Sequence, residues 1–129
     1  MILAVLVFGL VGTGVELALI EHYESAWQMA PLALVGLSLA VIAWHVVRPG
    51  GASIRAMQAA MVLCLASGAV GAVLHFRGAA EFQREIDPSI ARLPLIRKVM
   101  RAKAPPVLAP GMMVQLGLLG LAYAHRWSR

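Results

Sequence analysis

The sequence has few charged residues and lacks the motifs of known enzymes. Charged residues make up 13% of the 129 residues, against about 25% in a typical soluble domain, while 60% are hydrophobic and the mean hydropathy is +0.80. The single cysteine, Cys64, excludes an intrachain disulfide. The sequence also has no nucleotide-binding loop, no zinc-protease motif and no nucleophile beside a plausible base. These absences argue against a soluble domain and against an enzyme.

Long apolar runs fill most of the chain. Four of them, at about 2–20, 29–47, 56–76 and 107–125, are long enough to cross a bilayer, because about 20 residues rising about 1.5 Å each span the ~30 Å hydrocarbon core. The sequence therefore predicts an all-α polytopic integral membrane protein. We expect residues 1–129 to form a single transmembrane domain, a four-helix bundle in a bacterial inner membrane.

The connection between the third and fourth runs is long and rich in basic residues. Residues 78–86 are predicted to extend the third helix beyond the membrane until Asp87 and Pro88 end it. In residues 89–103, apolar positions recur at helical spacing beside arginines and lysines. This pattern predicts a short amphipathic helix, limited by Pro94, that lies in the plane of anionic headgroups. A solvated loop is the alternative.

The basic residues flank the apolar runs, so the formal charge of +5 indicates membrane anchors and not a nucleic-acid partner. The side of the membrane with the first and third connections holds seven Lys and Arg residues, and the other side holds four. The positive-inside rule would place the long connection in the cytoplasm. The first connection has no basic residue, however, and the first helix often dominates insertion, so the sidedness stays open.

Three polar residues inside the apolar runs are candidates for function. Glu16 is costly in a membrane helix, at about 2.5–3.5 kcal/mol if it is charged at the bilayer centre, and helical spacing aligns it with Gly9 and Gly12. His75 lies near the end of a stripe of small residues in the third run, and Gln115 lies one to two turns into the fourth. The other members of the stripe are Cys64, Ser67, Gly68, Gly71 and Gly78. We expect Glu16, His75 and Gln115 to meet inside the bundle, with Glu16 and Gln115 as buried polar or proton-handling groups.

A metal site is predicted at the same membrane surface. Histidine and carboxylate side chains that project from a four-helix bundle are ligands for divalent transition metals. The candidate ligands are His22, Glu24, His75 and Glu81. They do not form the Glu-x-x-His repeats of di-iron bundles. The alternative to a metal site is therefore a hydrogen-bond network, with the histidines hydrated at the lipid headgroups.

The histidines also allow a haem hypothesis. His22 and His75 lie near span ends at one surface, and His45 and His125 lie near span ends at the other. Such pairs are the axial ligands of haem b groups in some membrane bundles. The position at span ends argues against this hypothesis, because haem ligands are usually deeper in a bundle.

The sequence favours a small, non-catalytic integral membrane subunit. Its partners would be membrane lipids and either other membrane subunits or copies of itself, since Gly117, Gly120 and Ala124 form a smooth helix face of the kind that packs against another helix. The alternative is a proton-coupled small transporter that acts as a dimer, with Glu16 binding proton and substrate. Glu16 lies near the end of its span, and the spans hold few aromatic residues for a lipophilic-cation pocket.

Overall fold

The structure is a computed structural model that describes residues 1–21, 26–102 and 108–127. In these ranges all regular structure is helical, and the prediction of an all-α protein is confirmed. The helices are α1 (Ile2–Leu19), α2 (Ala26–Val47), α3 (Gly51–Ile86), α4 (Arg92–Met100) and α5 (Leu108–Trp127).

The predicted spans agree with α1, α2 and α5 to within three residues at each end, but α3 begins five residues before the predicted position 56. Ser53 explains the early start. Its hydroxyl accepts a hydrogen bond from the Gly50 N–H at 3.2 Å and lies 3.0 Å from the Gly50 carbonyl oxygen. This side chain satisfies backbone groups that a helix start leaves unpaired, so the helix forms within a segment whose glycines predict a loop.

Among the described residues, three helices are long and apolar enough to cross a membrane: Ile2–Leu19, Trp27–Val47 within α2, and Gly51–Ile86. Their most apolar windows have mean hydropathies of 2.3, 2.0 and 2.0. Large apolar side chains such as Phe8 (82% exposed) and Leu19 (78% exposed) point outward from the helices, which suits lipid and not water. The chain is therefore a membrane protein, and a crossing by α5 stays a prediction.

Helices α1, α2, α3 and α5 pack in a ring, in which α3 contacts α2 and α5 while α1 contacts the same two helices. Small residues let α3 and α5 approach closely: a Cβ on Gly68 would lie 2.6 Å from the Pro110 carbonyl oxygen, and one on Gly117 would lie 2.8 Å from that of Met61. The face of Gly117, Gly120 and Ala124, which the sequence predicts to pack against another helix, therefore packs inside the bundle. The buried core comprises Leu6, Leu10, Val35, Ile42, Ile54, Met57, Ala60, Met61, Cys64, Met113, Leu116 and Ala124.

Beyond the bundle, α3 continues to Ile86 and ends at Asp87, as predicted for residues 78–86. Helix α4 then packs against this extension through Leu95 and Val99, which are 3% and 1% exposed and form a second small core with Ala80. Pro94 falls in the first turn of α4, where its missing N–H removes no intrahelical bond. The predicted amphipathic helix is present, and its position at the headgroups stays a prediction.

Candidate functional site

A cleft of about 490 Å³ opens between the four packed helices at the end of the bundle where α1 finishes and α2 and α5 begin. Its α3 wall is made of small residues, including Ser67, Gly68, Gly71 and Gly78. Large side chains fill the core nearer the other end of the bundle, whereas these small residues leave the space between the helices open. The stripe that the sequence shows in the third run therefore makes a cavity as well as a close helix contact.

Polar side chains from three helices face this cleft. Glu16 and Thr13 line it from α1, Ser67 and His75 from α3, and Gln28 from α2. Thr13 is only 6% exposed, and its hydroxyl has no hydrogen-bond partner. A buried hydroxyl without a partner costs free energy, so this group is available to whatever occupies the cleft.

Two residues at the start of α2 add a further polar group. Trp27 and Pro31 both line the cleft, and Pro31 lies inside the helix. Because proline has no N–H, the Trp27 carbonyl loses the donor that residue 31 would normally supply. A backbone acceptor without its usual partner is thus placed beside the cleft.

Two of the three polar residues singled out in the spans reach this cleft. Glu16 and His75 line it together, although Glu16 is exposed and lies one turn before the end of α1. Gln115 does not join them. It is exposed on the outer face of α5, opposite the buried residues Met113 and Gly117, because the close packing of the glycine face turns the amide away from the bundle.

The predicted metal ligands are not brought together within the described residues. His22 and Glu24 lie outside the described ranges. His75 lines the cleft, whereas Glu81 lines a separate groove with Arg77 and Arg84, its neighbours four residues before and three after on the helix surface. In the described ranges, no three His, Cys, Asp or Glu side chains form a group that could hold a metal ion. A site completed by His22 and Glu24 stays a prediction.

The other end of the bundle holds a buried histidine, His45, that the sequence suggested only as a haem ligand. His45 is 2% exposed. Its Nδ1 lies 2.9 Å from the Ser53 hydroxyl and its Nε2 lies 3.2 Å from the Tyr123 hydroxyl, so that α2 is linked to both α3 and α5. The Trp127 ring lies edge-on to the imidazole, with centroids 5.1 Å apart. The sequence signals this link only by placing one polar residue near the same end of each helix: His45 in α2, Ser53 in α3 and Tyr123 in α5.

This arrangement does not fit haem ligation by His45. An axial ligand must direct a free ring nitrogen at iron, whereas both nitrogens of His45 are within hydrogen-bond distance of hydroxyl groups in either tautomer. His125, the other histidine of the predicted pair, is exposed. His45 instead holds three helices together.

Comparison with protein-family models, with curated proteins and with solved structures finds no match to this chain. The indications of function therefore lie in the site itself. The cleft offers a carboxylate, an imidazole, hydroxyl groups and apolar walls. Such a set of groups can bind a small molecule or hold a proton.

Proposed function

We propose that this chain is a non-catalytic subunit of a self-associated assembly in a bacterial inner membrane, with α5 as a fourth crossing. The observation that supports this proposal is the exposed amide of Gln115. It lies within an outer face of α5 where its neighbours are apolar, including Leu108 (63% exposed) and Leu118 (56% exposed). The charged residue of this face, Arg126, comes only at the end of the helix. In hydrocarbon, an amide on such a face needs a partner from outside the bundle.

The chemistry of the amide favours a second copy of the chain as that partner. Glutamine carries two N–H donors and a carbonyl acceptor, so two Gln115 side chains related by a twofold axis can each donate to the other. Transfer of an unpaired amide from water into an apolar environment costs about 2–7 kcal/mol, depending on the reference state, whereas a hydrogen bond between membrane helices contributes about 0.6–2 kcal/mol. Pairing therefore favours association of α5 with α5.

Replacing Gln115 with leucine tests the assembly. We expect Gln115→Leu to weaken self-association about 3- to 30-fold, the range that corresponds to about 0.6–2 kcal/mol. Energy transfer between donor-labelled and acceptor-labelled copies in liposomes, measured as the lipid-to-protein ratio is varied, gives the dissociation constant. Gln58→Leu is the matched control, because Gln58 is half-buried on α3 and not on the outer face of α5. Equal self-association of Gln115→Leu and the parent chain would show that this face is not the contact.

A proton-coupled small transporter is the second candidate, and the joint placement of Glu16 and His75 on one cleft favours it. A carboxylate at the edge of a membrane span can exchange a proton for a cationic substrate. Transport predicts that Glu16→Gln lowers pH-driven amine uptake into proteoliposomes at least tenfold. Glu21→Gln, a change outside the cleft lining, should leave uptake unchanged. A parent chain that moves neither protons nor amines would exclude this function.

A further inference from the structure

We infer that the cleft is a binding site for one small amphipathic cation, an apolar body that carries a protonated amine, with Glu16 as the opposite charge. This inference does not depend on self-association through α5. It names the substrate class for the transport candidate, and it would equally describe a resident ligand of a subunit that transports nothing.

The charge of the lining selects a cation. Among the described residues, Glu16 is the only carboxylate on the cleft, and neither lysine nor arginine lines it. Glu16 also forms no ion pair with the described part of the chain. A carboxylate at the edge of a low-dielectric region attracts positive charge more strongly than it would in water, and it repels an anion.

The remaining polar groups suit an N–H donor. Thr13 is 94% buried and lines the cleft, and its buried hydroxyl has no partner. A hydroxyl oxygen accepts hydrogen bonds through its lone pairs. The Trp27 carbonyl lacks its usual helical donor because of Pro31, and Ser67 adds a second hydroxyl. A protonated primary amine has three N–H groups to offer to Glu16 and these acceptors.

The walls suit an apolar body. Leu17, Leu74, Met112 and Met113 line the cleft, and its volume of about 490 Å³ falls in the range of about 300–1,000 Å³ that is usual for small-molecule sites. The sequence-based objection was a shortage of aromatic residues in the spans. The structure places one aromatic residue, Trp27, in the cleft lining at the open edge, where it is 73% exposed, and an indole ring can attract a cation through its face.

Three probes with one chain length separate charge from hydrophobicity: octylamine, octanol and octyl sulfate. Each is titrated into the full chain in nanodiscs of zwitterionic lipid, and the heat of binding is measured with empty nanodiscs subtracted. We expect octylamine to bind at a 1:1 ratio and at least tenfold more tightly than octanol, and octyl sulfate not to bind. Octanol binding as tightly as octylamine would overturn the inference, because the cleft would then be only an apolar cavity.

Two substitutions assign the binding to named groups. Glu16→Gln is expected to weaken octylamine binding at least tenfold and to leave octanol binding unchanged, whereas the matched change Glu21→Gln should alter neither. Thr13→Val, which keeps the side-chain shape, should weaken octylamine binding at least threefold and should also raise the melting temperature of the ligand-free protein, because it removes an unpaired buried hydroxyl. Unchanged octylamine binding by Glu16→Gln would overturn the role of the carboxylate.

The outcomes separate this inference from the proposed functions. Loss of self-association in Gln115→Leu bears on the assembly alone, since Gln115 lies outside the cleft lining. Tight octylamine binding without uptake into proteoliposomes would support the site and exclude transport. If Glu16→Gln fails to fold, the comparison of octylamine with octanol on the parent chain still decides the question.

Discussion

Replacing His45 with alanine is expected to lower the free energy of unfolding by about 2–4 kcal/mol, a sum of lost packing and lost hydrogen bonds. The imidazole is 2% exposed and contacts hydroxyl groups on two other helices. Its removal leaves a cavity lined by Tyr123 and Trp127 and takes a partner from Tyr123 and from Ser53. Three helices lose their shared contact at once, so the effect should be among the largest of any single substitution.

Unfolding can be followed by circular dichroism while SDS is titrated into mild-detergent micelles. Tyr123→Phe removes one partner and should cost about 1–3 kcal/mol, because it leaves a buried ring nitrogen unpaired. Val46→Ala is the neighbouring control: Val46 is 62% exposed, and its truncation should change stability by no more than about 0.5 kcal/mol. A loss below about 1 kcal/mol in His45→Ala would show that the imidazole is not a link between the helices.

Adding a single methyl group at Gly68 is expected to lower the free energy of unfolding by about 2–3 kcal/mol, near the upper end of the usual cost of overpacking. An alanine Cβ there would lie 2.6 Å from the Pro110 carbonyl oxygen and 2.7 Å from Cγ2 of Val114. The oxygen belongs to the backbone of α5, so a side-chain rotation cannot relieve the contact. The helices α3 and α5 must move apart, and the packing between them is lost.

Gly36 provides the control for this prediction. A Cβ built on Gly36 would meet no atom within 4 Å, and alanine is a better helix former than glycine by about 0.8–1.0 kcal/mol. Gly36→Ala should therefore be neutral or stabilising in the same SDS titration that shows Gly68→Ala to be destabilised. If the two substitutions have the same effect, close packing of α3 on α5 does not govern the stability of the bundle.

The cleft could be predicted only in part. Helical spacing put Ser67, Gly68, Gly71 and His75 on one stripe, and these residues do line the cleft together with Glu16. Spacing within one helix is fixed by the backbone, so residues three and four apart share a face whatever the helix packs against. The unpaired Thr13 hydroxyl was not predicted, because it depends on what the neighbouring helices fail to supply. The freed carbonyl of Trp27 is different, since it follows from Pro31 four residues further along the same helix and is a local signal.

The position of Gln115 could not be predicted from α5 alone. A polar amide in an apolar helix suggests an inward orientation, but Gly117 and Gly120 lie on nearly the opposite face, and only one face can pack against α3. The glycine face permits the closer approach, so it is turned inward and the amide is left outside. The choice between two candidate faces is a matter of packing between helices.

The sequence by itself determined that this is an all-helical membrane protein, and it determined where the third helix ends and a short amphipathic helix follows. These features depend on hydrophobic run length, helical period and Asp87-Pro88, all of which are local. Only the tertiary structure decided that Glu16 and His75 share a cleft, that His45 joins three helices, and that Gln115 faces outward. The reason is physical: neighbours on other helices are chosen by the fit of side chains across the bundle, and that fit is not encoded in any single segment.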